Sequence, residues 1–265
     1  MDLTVIGLGK MGSALVKGII EAGVFKKDNI IGCDIKVETM DSNPNYFDIK
    51  TLQENKKGVN KADLVLLAVK PQIINNVLME IRDVMKEKVL ISVAAGVTIS
   101  QLKRNLPVST RVVRVMPNTP SLIGEGVSAL SWGDEIMDDD KKLVKDMLAS
   151  TGEVIEVKEN LMDAVTGLSG SGPAFVYIMI EALADAGVLN GLSRENSLKL
   201  AAQTVKGAAE LVQSGEEHPG ELKDMVTSPA GTTIQGVREL EKRGLRSALI
   251  EAVKAATDRS RELGE

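Results

Sequence analysis

Leu3-Thr4-Val5-Ile6-Gly7-Leu8-Gly9-Lys10-Met11-Gly12 decides the fold of this chain. Its first four residues are apolar or β-branched and read as a short strand, and the pattern from Met11 to Ala22 reads as a helix. Between them stand three glycines in the order G-x-G-x-x-G. Gly7 permits a tight turn, Gly9 lets the backbone approach a pyrophosphate, and Gly12 lets the helix pack closely, while the helix N-terminus offers unpaired N–H groups. A second β-branched run, Ile30 to Cys33, ends at Asp34, at the separation of about 20 residues that a dinucleotide fingerprint requires. Ile6, Gly7, Leu8, Gly9, Lys10, Met11, Gly12 and Asp34 are therefore candidate contacts for NADH or NADPH. Asp34 could bond a ribose 2′-hydroxyl and repel a 2′-phosphate, which leans toward NADH. Lys36 could offset that repulsion, so both cofactors stay open.

Further along, strand-like runs alternate with helical patterns, the mark of βαβ units and a parallel sheet. Leu64–Val69, Val89–Ala94, Arg111–Met116, Val127–Ser131 and Val154–Val157 read as strands, and Ile73–Met85 and Asp139–Ser150 as helices. Open α/β sheets bind ligands at the carboxyl ends of their strands, which places Ala68, Val69, Lys70, Pro71, Ala94 and Ala95 beside the cofactor. Met116-Pro117-Asn118-Thr119-Pro120 reads as a loop at the same edge. From Leu161 onward the pattern is helical throughout, punctuated at Gly187, Gly191, Gly215, Pro219 and Gly244. The expected architecture is an α/β Rossmann-type N-terminal domain, residues 1–158, followed by an all-α C-terminal domain, residues 159–265.

Composition narrows the function. With 32 basic and 37 acidic residues, a net charge of −5 and no basic block with interleaved aromatics, nucleic acid is not an expected partner. Apolar runs such as Leu64–Val69 are too short to span a bilayer, and the start of the chain lacks a signal-peptide pattern, so a cytoplasmic location with no membrane partner is expected. A single cysteine, Cys33, and a single histidine, His218, cannot assemble a zinc site of the usual ligands, and no metal is expected.

Near the other end, Asp224-Met225-Val226-Thr227-Ser228-Pro229-Ala230-Gly231-Thr232-Thr233-Ile234-Gln235 crowds hydroxyls and small residues before a helical pattern. A helix start of this kind can hold a small anion, and a carboxylate fits. Gly167-Leu168-Ser169-Gly170-Ser171-Gly172-Pro173-Ala174 reads as a glycine-rich turn before a second apolar helix. Hydroxyacid dehydrogenases of this architecture place a lysine after such a turn, whereas Phe175, Val176, Tyr177 and Ile178 follow here. An iminium already carries its proton, so the missing donor favours a C=N substrate.

Taken together, the glycine fingerprint, Ala68–Pro71, Ala94–Val97, Met116–Pro120, Gly167–Pro173 and His218–Gln235 resemble pyrroline-5-carboxylate reductases, in the same order and across both halves. The resemblance implies NAD(P)H-dependent hydride transfer to the C=N bond of 1-pyrroline-5-carboxylate, giving L-proline, the last step of proline biosynthesis. It implies a helical dimerisation domain, with homodimers that can assemble into decamers; Phe175–Ala186 and Leu198–Val212 are more apolar than single-faced helices need to be. Asn55 is counted with the cofactor-binding residues. Ser228, Gly231 and Thr232 are assigned to the substrate carboxylate, and Thr233 to the ring nitrogen as the catalytic residue. Glu216 is assigned to the cationic ring, and His218, beside a proline at a helix entry, is not assigned to catalysis. Ala230 departs from the second glycine of many members and is unsuited to a positive φ. The alternatives are a reductase for another imine or a hydroxyacid, against which the missing lysine counts, and a protein that binds NAD(H) without turnover.

Overall fold

The computed structural model describes residues 1–35 and 48–264; Lys36 lies outside them. In chain order the elements are β1 (Leu3–Ile6), α1 (Lys10–Glu21), β2 (Ile30–Cys33), β3 (Lys50–Leu52), α2 (Asn55–Val59), β4 (Leu64–Leu67), α3 (Ile74–Ile81), β5 (Val89–Ser92), α4 (Ile99–Arg104), β6 (Arg111–Met116), β7 (Gly126–Trp132), α5 (Asp138–Ala149) and β8 (Gly152–Glu156). The helices α6 (Met162–Val165), α7 (Gly172–Leu189), α8 (Arg194–Ser214), α9 (Pro219–Met225), α10 (Thr232–Lys242) and α11 (Leu245–Gly264) follow.

The strands form one sheet in the order β3-β2-β1-β4-β5-β6-β7-β8. Strands β1, β2, β4 and β5 are buried along their whole length, as continuous apolar runs must be when helices cover both faces. One face packs Leu15, Val16 and Ile19 of α1 with Val144, Met147 and Leu148 of α5. The other packs Val59, Ile74, Leu78, Ile81 and Leu102, from α2, α3 and α4. The sheet is not wholly parallel: β6 and β7 run antiparallel, with Val113 opposite Trp132. A parallel return needs a crossover of a dozen or more residues, and the short link from Pro117 to Glu125 allows only the antiparallel arrangement.

Two compact units emerge, Met1–Ser171 with Lys254–Glu265, and Gly172–Val253. The split differs from a cut after residue 158, because both flanks of the helical half are bound to the sheet unit. Arg114, on β6 and 3% exposed, faces Glu159 at 3.7 Å and Asp163 at 3.4 Å, and the Ser260 hydroxyl donates to Asp163 at 2.8 Å. In the second unit α7 packs on α8 where Gly187 leaves room: a Cβ there would lie 2.6 Å from Ser197 Oγ. Gly187 is thus a packing glycine inside α7, not a break.

Gly167–Ala174 corrects the expectation of a glycine-rich turn. Thr166–Gly170 is a π-helical turn inside a helical run that reaches from Glu159 to Leu189. Hydroxyls from Thr166, Ser169 and Ser171 take up carbonyls along it, donating to Met162, Val165 and Thr166 respectively. By length and composition this run is apolar enough to cross a membrane, with a mean hydropathy of 1.5 in its best window, of which 6% is buried. Glycines and serines interrupt its apolar letters, which is why no long apolar stretch stands out in the sequence.

Candidate functional site

Order reversal in the sheet falls between the parallel strands β1 and β4, whose onward connections run to opposite sides, toward β2 and toward β5, and there the glycine loop sits. Gly7 has φ +93°, and a Cβ on it would lie 2.6 Å from the Ala68 carbonyl oxygen. Its N–H donates to the Cys33 carbonyl at 2.8 Å, and the Ala68 N–H donates to the Ile6 carbonyl at 2.8 Å. The end of β1 is therefore laced to the ends of both neighbours. A Cβ on Gly12 would collide with the Gly7 carbonyl, so helix and loop meet backbone to backbone. A Cβ on Gly9 would meet nothing within 4 Å. That open space, at a helix start with no side-chain cap, is a cradle of the kind that can receive a pyrophosphate.

Asp34 holds this loop as well as flanking it. Its Oδ2 accepts the Leu8 N–H at 2.8 Å, so the carboxylate expected at a ribose also fixes the glycine turn. Ser13 does the same from the other side, its hydroxyl donating to the Leu8 carbonyl at 2.9 Å. Ser13 was not legible as a site residue, since a serine one turn into a helix carries no motif signal. A cavity of about 170 Å³ opens beside the loop, lined by Gly9, Lys10, Ser13, Lys17 and Leu122 among others. Ile6 is buried in β1 and Met11 is half-buried, whereas Lys10 is exposed.

Ala68, Val69, Lys70 and Pro71 leave β4 at this edge, and Ala94 and Ala95 leave β5 beside them. Lys70 is exposed and makes no ion pair among the described residues. Asn55 opens α2 after β3, which runs parallel to β2 and so exits on the same edge. Its amide donates to Glu80 at 2.8 Å. Cys33 Sγ is buried beneath the edge, its pKa pushed from 9.0 up to about 12 by burial, with Glu80 and Asp34 adding to the rise. A thiol held protonated is no nucleophile. Asn118, in the loop after β6, donates to the Ser169 carbonyl at 3.3 Å and accepts the Val127 N–H at 3.0 Å, tying that loop to the π-turn.

In the helical unit, Gly231 is the N-cap of α10 and no side chain caps the helix. Ala230 takes φ +56°, the left-handed conformation for which alanine is ill suited. That turn brings Ser228 against the helix start, so close that a Cβ on Gly231 would collide with Ser228 Oγ. The hydroxyls of Ser228, Thr232 and Thr233 are exposed and make no hydrogen bond among the described residues. An uncapped helix start ringed by free hydroxyls can receive an anion and donate or accept at a neighbouring atom. Glu216 lies in the exposed bend between α8 and α9, without an ion pair among the described residues. His218 is the N-cap of α9: its Nδ1 accepts the Gly220 N–H at 3.1 Å, while its own N–H donates to Glu221 at 3.1 Å. A ring nitrogen engaged in that cap is a structural acceptor.

Residues 2–96 match the family described as NADP oxidoreductase, coenzyme F420-dependent. With the glycine cradle at the sheet's switch point, this defines an NAD(P)H-dependent oxidoreductase. Residues 159–263 match the pyrroline-5-carboxylate reductase dimerisation family. The chain is 46% identical to the pyrroline-5-carboxylate reductase of Methanosarcina acetivorans over 98% of its length and 97% of the relative's. It is 43% identical to that of Synechocystis over 100% and 99%. The crystal structure of a Plasmodium falciparum pyrroline carboxylate reductase with NADP bound superposes with a TM-score of 0.90 at 38% identity, covering 100% of this chain and 98% of that one. The chain belongs to the pyrroline-5-carboxylate reductase family, and its C-terminal half is that family's dimerisation domain.

Proposed function

We propose that the chain reduces 1-pyrroline-5-carboxylate to L-proline, with residues 1–158 holding NAD(P)H and residues 159–265 holding the imine. The uncapped start of α10, with three free hydroxyls around it, is the observation that carries the reading beyond the family name. When bound, NAD(P)H supplies the hydride. The backbone of Gly7 to Gly12 and the first N–H groups of α1 would hold its pyrophosphate, and Asp34 would divide its carboxylate between the Leu8 N–H and a ribose hydroxyl. Ala68, Val69, Lys70, Pro71, Ala94, Ala95 and Asn55 would line the rest of that edge.

At α10 the N–H groups of Gly231, Thr232 and Thr233 and the Ser228 hydroxyl receive the substrate carboxylate, assisted by the positive end of the helix dipole. Thr233 orients the ring nitrogen. Its hydroxyl is a poor acid, so its part is to hold the C=N carbon at the angle the hydride needs. Glu216 offers a negative charge to the cationic ring. The active form is a homodimer, assembled in turn into a decamer, in the cytoplasm.

The test follows NADH and NADPH oxidation with 1-pyrroline-5-carboxylate. Folded protein that binds a dinucleotide yet consumes neither cofactor overturns the proposal. Thr233→Ala should lower kcat/KM about tenfold, the loss of one oriented hydrogen bond worth about 1 to 1.5 kcal/mol. Full activity with unchanged KM in that variant removes Thr233 from the site.

A further inference from the structure

The loop that leaves β5 is held from outside by the far end of α11. Gly96 takes φ +76°, and a Cβ on it would lie 3.3 Å from the Ser260 carbonyl oxygen and 3.5 Å from Leu263 Cβ. The fit is reciprocal: a Cβ on Gly264 would lie 2.5 Å from the Gly96 carbonyl oxygen. Contacts of backbone on backbone at that range cannot be relieved by rotating a side chain. Gln101, in the first turn of α4, fastens the junction. Its Nε2 donates to the Gly264 carbonyl at 2.5 Å, while its Oε1 accepts the Thr98 N–H at 2.8 Å. One amide thus caps α4 and holds α11. Ser260, 4% exposed, anchors the same segment through Asp163 and so to Arg114 of β6.

We infer that Gln101 and Gly264 are positioning residues for the cofactor: the clasp they form between α11 and the loop from Ala94 to Val97 sets the shape of the edge that receives NAD(P)H. The inference rests on the assignment of Ala94 and Ala95 to that edge. Neither Gln101 nor Gly264 touches the reacting atoms. A loop of small residues with one left-handed glycine has little of its own to fix it, since Ala94 and Ala95 bring no long side chains. The clasp removes that freedom before the ligand arrives, which lowers the ordering cost of binding.

Gln101→Glu separates the two duties of the amide. A glutamate oxygen still accepts the Thr98 N–H and keeps α4 capped, but it cannot donate to the Gly264 carbonyl. Dissociation constants for NADH and NADPH, measured by fluorescence titration, should rise about fivefold or more, with a matching rise in cofactor KM. The KM for the imine and kcat should stay within about twofold, and the thermal midpoint should stay near that of the parent. Gly264→Ala, which presses on the Gly96 carbonyl without touching the α4 cap, should give the same split. Parent-like cofactor affinity in both variants overturns the clasp while leaving the cofactor assignment standing. Equal losses in cofactor and imine KM also overturn it, since they mark general damage. A parent protein that binds neither dinucleotide overturns the assignment itself, and the clasp with it.

Discussion

Ala230 shows how much one residue can reveal about a site. A left-handed alanine costs about 1 to 2 kcal/mol, and here it is held at φ +56° between Pro229 and the N-cap Gly231. Glycine would release that strain but add freedom to the unfolded chain, a cost of about 0.5 to 1 kcal/mol. Ala230→Gly should therefore stabilise by about 0.5 to 1 kcal/mol, raising the thermal midpoint by about 1 to 4 °C. A lower midpoint in a melting experiment would show that the left-handed turn is not strained in solution. The need for this turn could be posed from the sequence, because an alanine stood where a glycine was expected. Its outcome could not, since the seating of Ser228 against the helix start that goes with this turn leaves no pattern in the residues. The backbone demands at Gly7 and Gly12 were legible, since a Cβ at either would strike backbone, whereas Gly9 answers to no contact within the chain. Ser13 and the second duty of Asp34 were not, because hydrogen bonds that close a loop leave no pattern in residue spacing.

At the scale of elements, the strands whose apolar runs are buried on both faces were read with bounds within two residues, as β1, β2 and β6 illustrate. The missed strand, β3, is a three-residue edge strand, Lys50-Thr51-Leu52, too short and too exposed to show a period. The return of α11 to the sheet unit was equally invisible, since it depends on one buried charge meeting partners far away in sequence. Arg114 is 3% exposed and Asp163 faces it at 3.4 Å, with Glu159 at 3.7 Å as its other carboxylate. Removing one partner of a buried pair typically costs about 3 to 5 kcal/mol because the other charge is stranded. The remaining Glu159 softens this, so Asp163→Ala should cost about 2 to 3 kcal/mol in urea denaturation. The double variant Arg114→Met with Asp163→Leu should recover part of that loss, because the buried guanidinium goes with its partner while Glu159, more exposed, keeps the Ile99 N–H. A single-variant loss below about 0.5 kcal/mol, the size of an exposed pair, would show that the network is wet and does not hold the helical flank.

For the whole molecule, the decisive fact is how little the helical unit buries by itself. From Gly172 to Val253 the buried residues are Ala184, Ser197 and Ala201, two of them small and one polar. Meanwhile Tyr177, Ile178, Leu189, Leu198, Leu200, Leu211 and Ile250 each expose half or more of their surface. At about 25 cal/mol per Å² of apolar area, such a unit lacks the burial to offset the entropy of ordering it. Lipid or a second copy could supply the missing burial. Asp185 and Arg194, which pair at the end of α7, and Glu181 between them and the apolar run, are charges that a bilayer interior would penalise and a protein interface can leave at its rim. The dimerisation-family match covers the same residues. Ile178→Glu, which puts a charge into the centre of that face, should shift the assembly toward monomer in sedimentation velocity and lower its thermal midpoint by 5 °C or more, on the order expected for about 2 kcal/mol of lost burial. The parent chain should sediment as a dimer or larger without detergent. A parent that runs as a stable monomer, or that stays soluble only in detergent, would assign the apolar face of α7 to something other than a second copy.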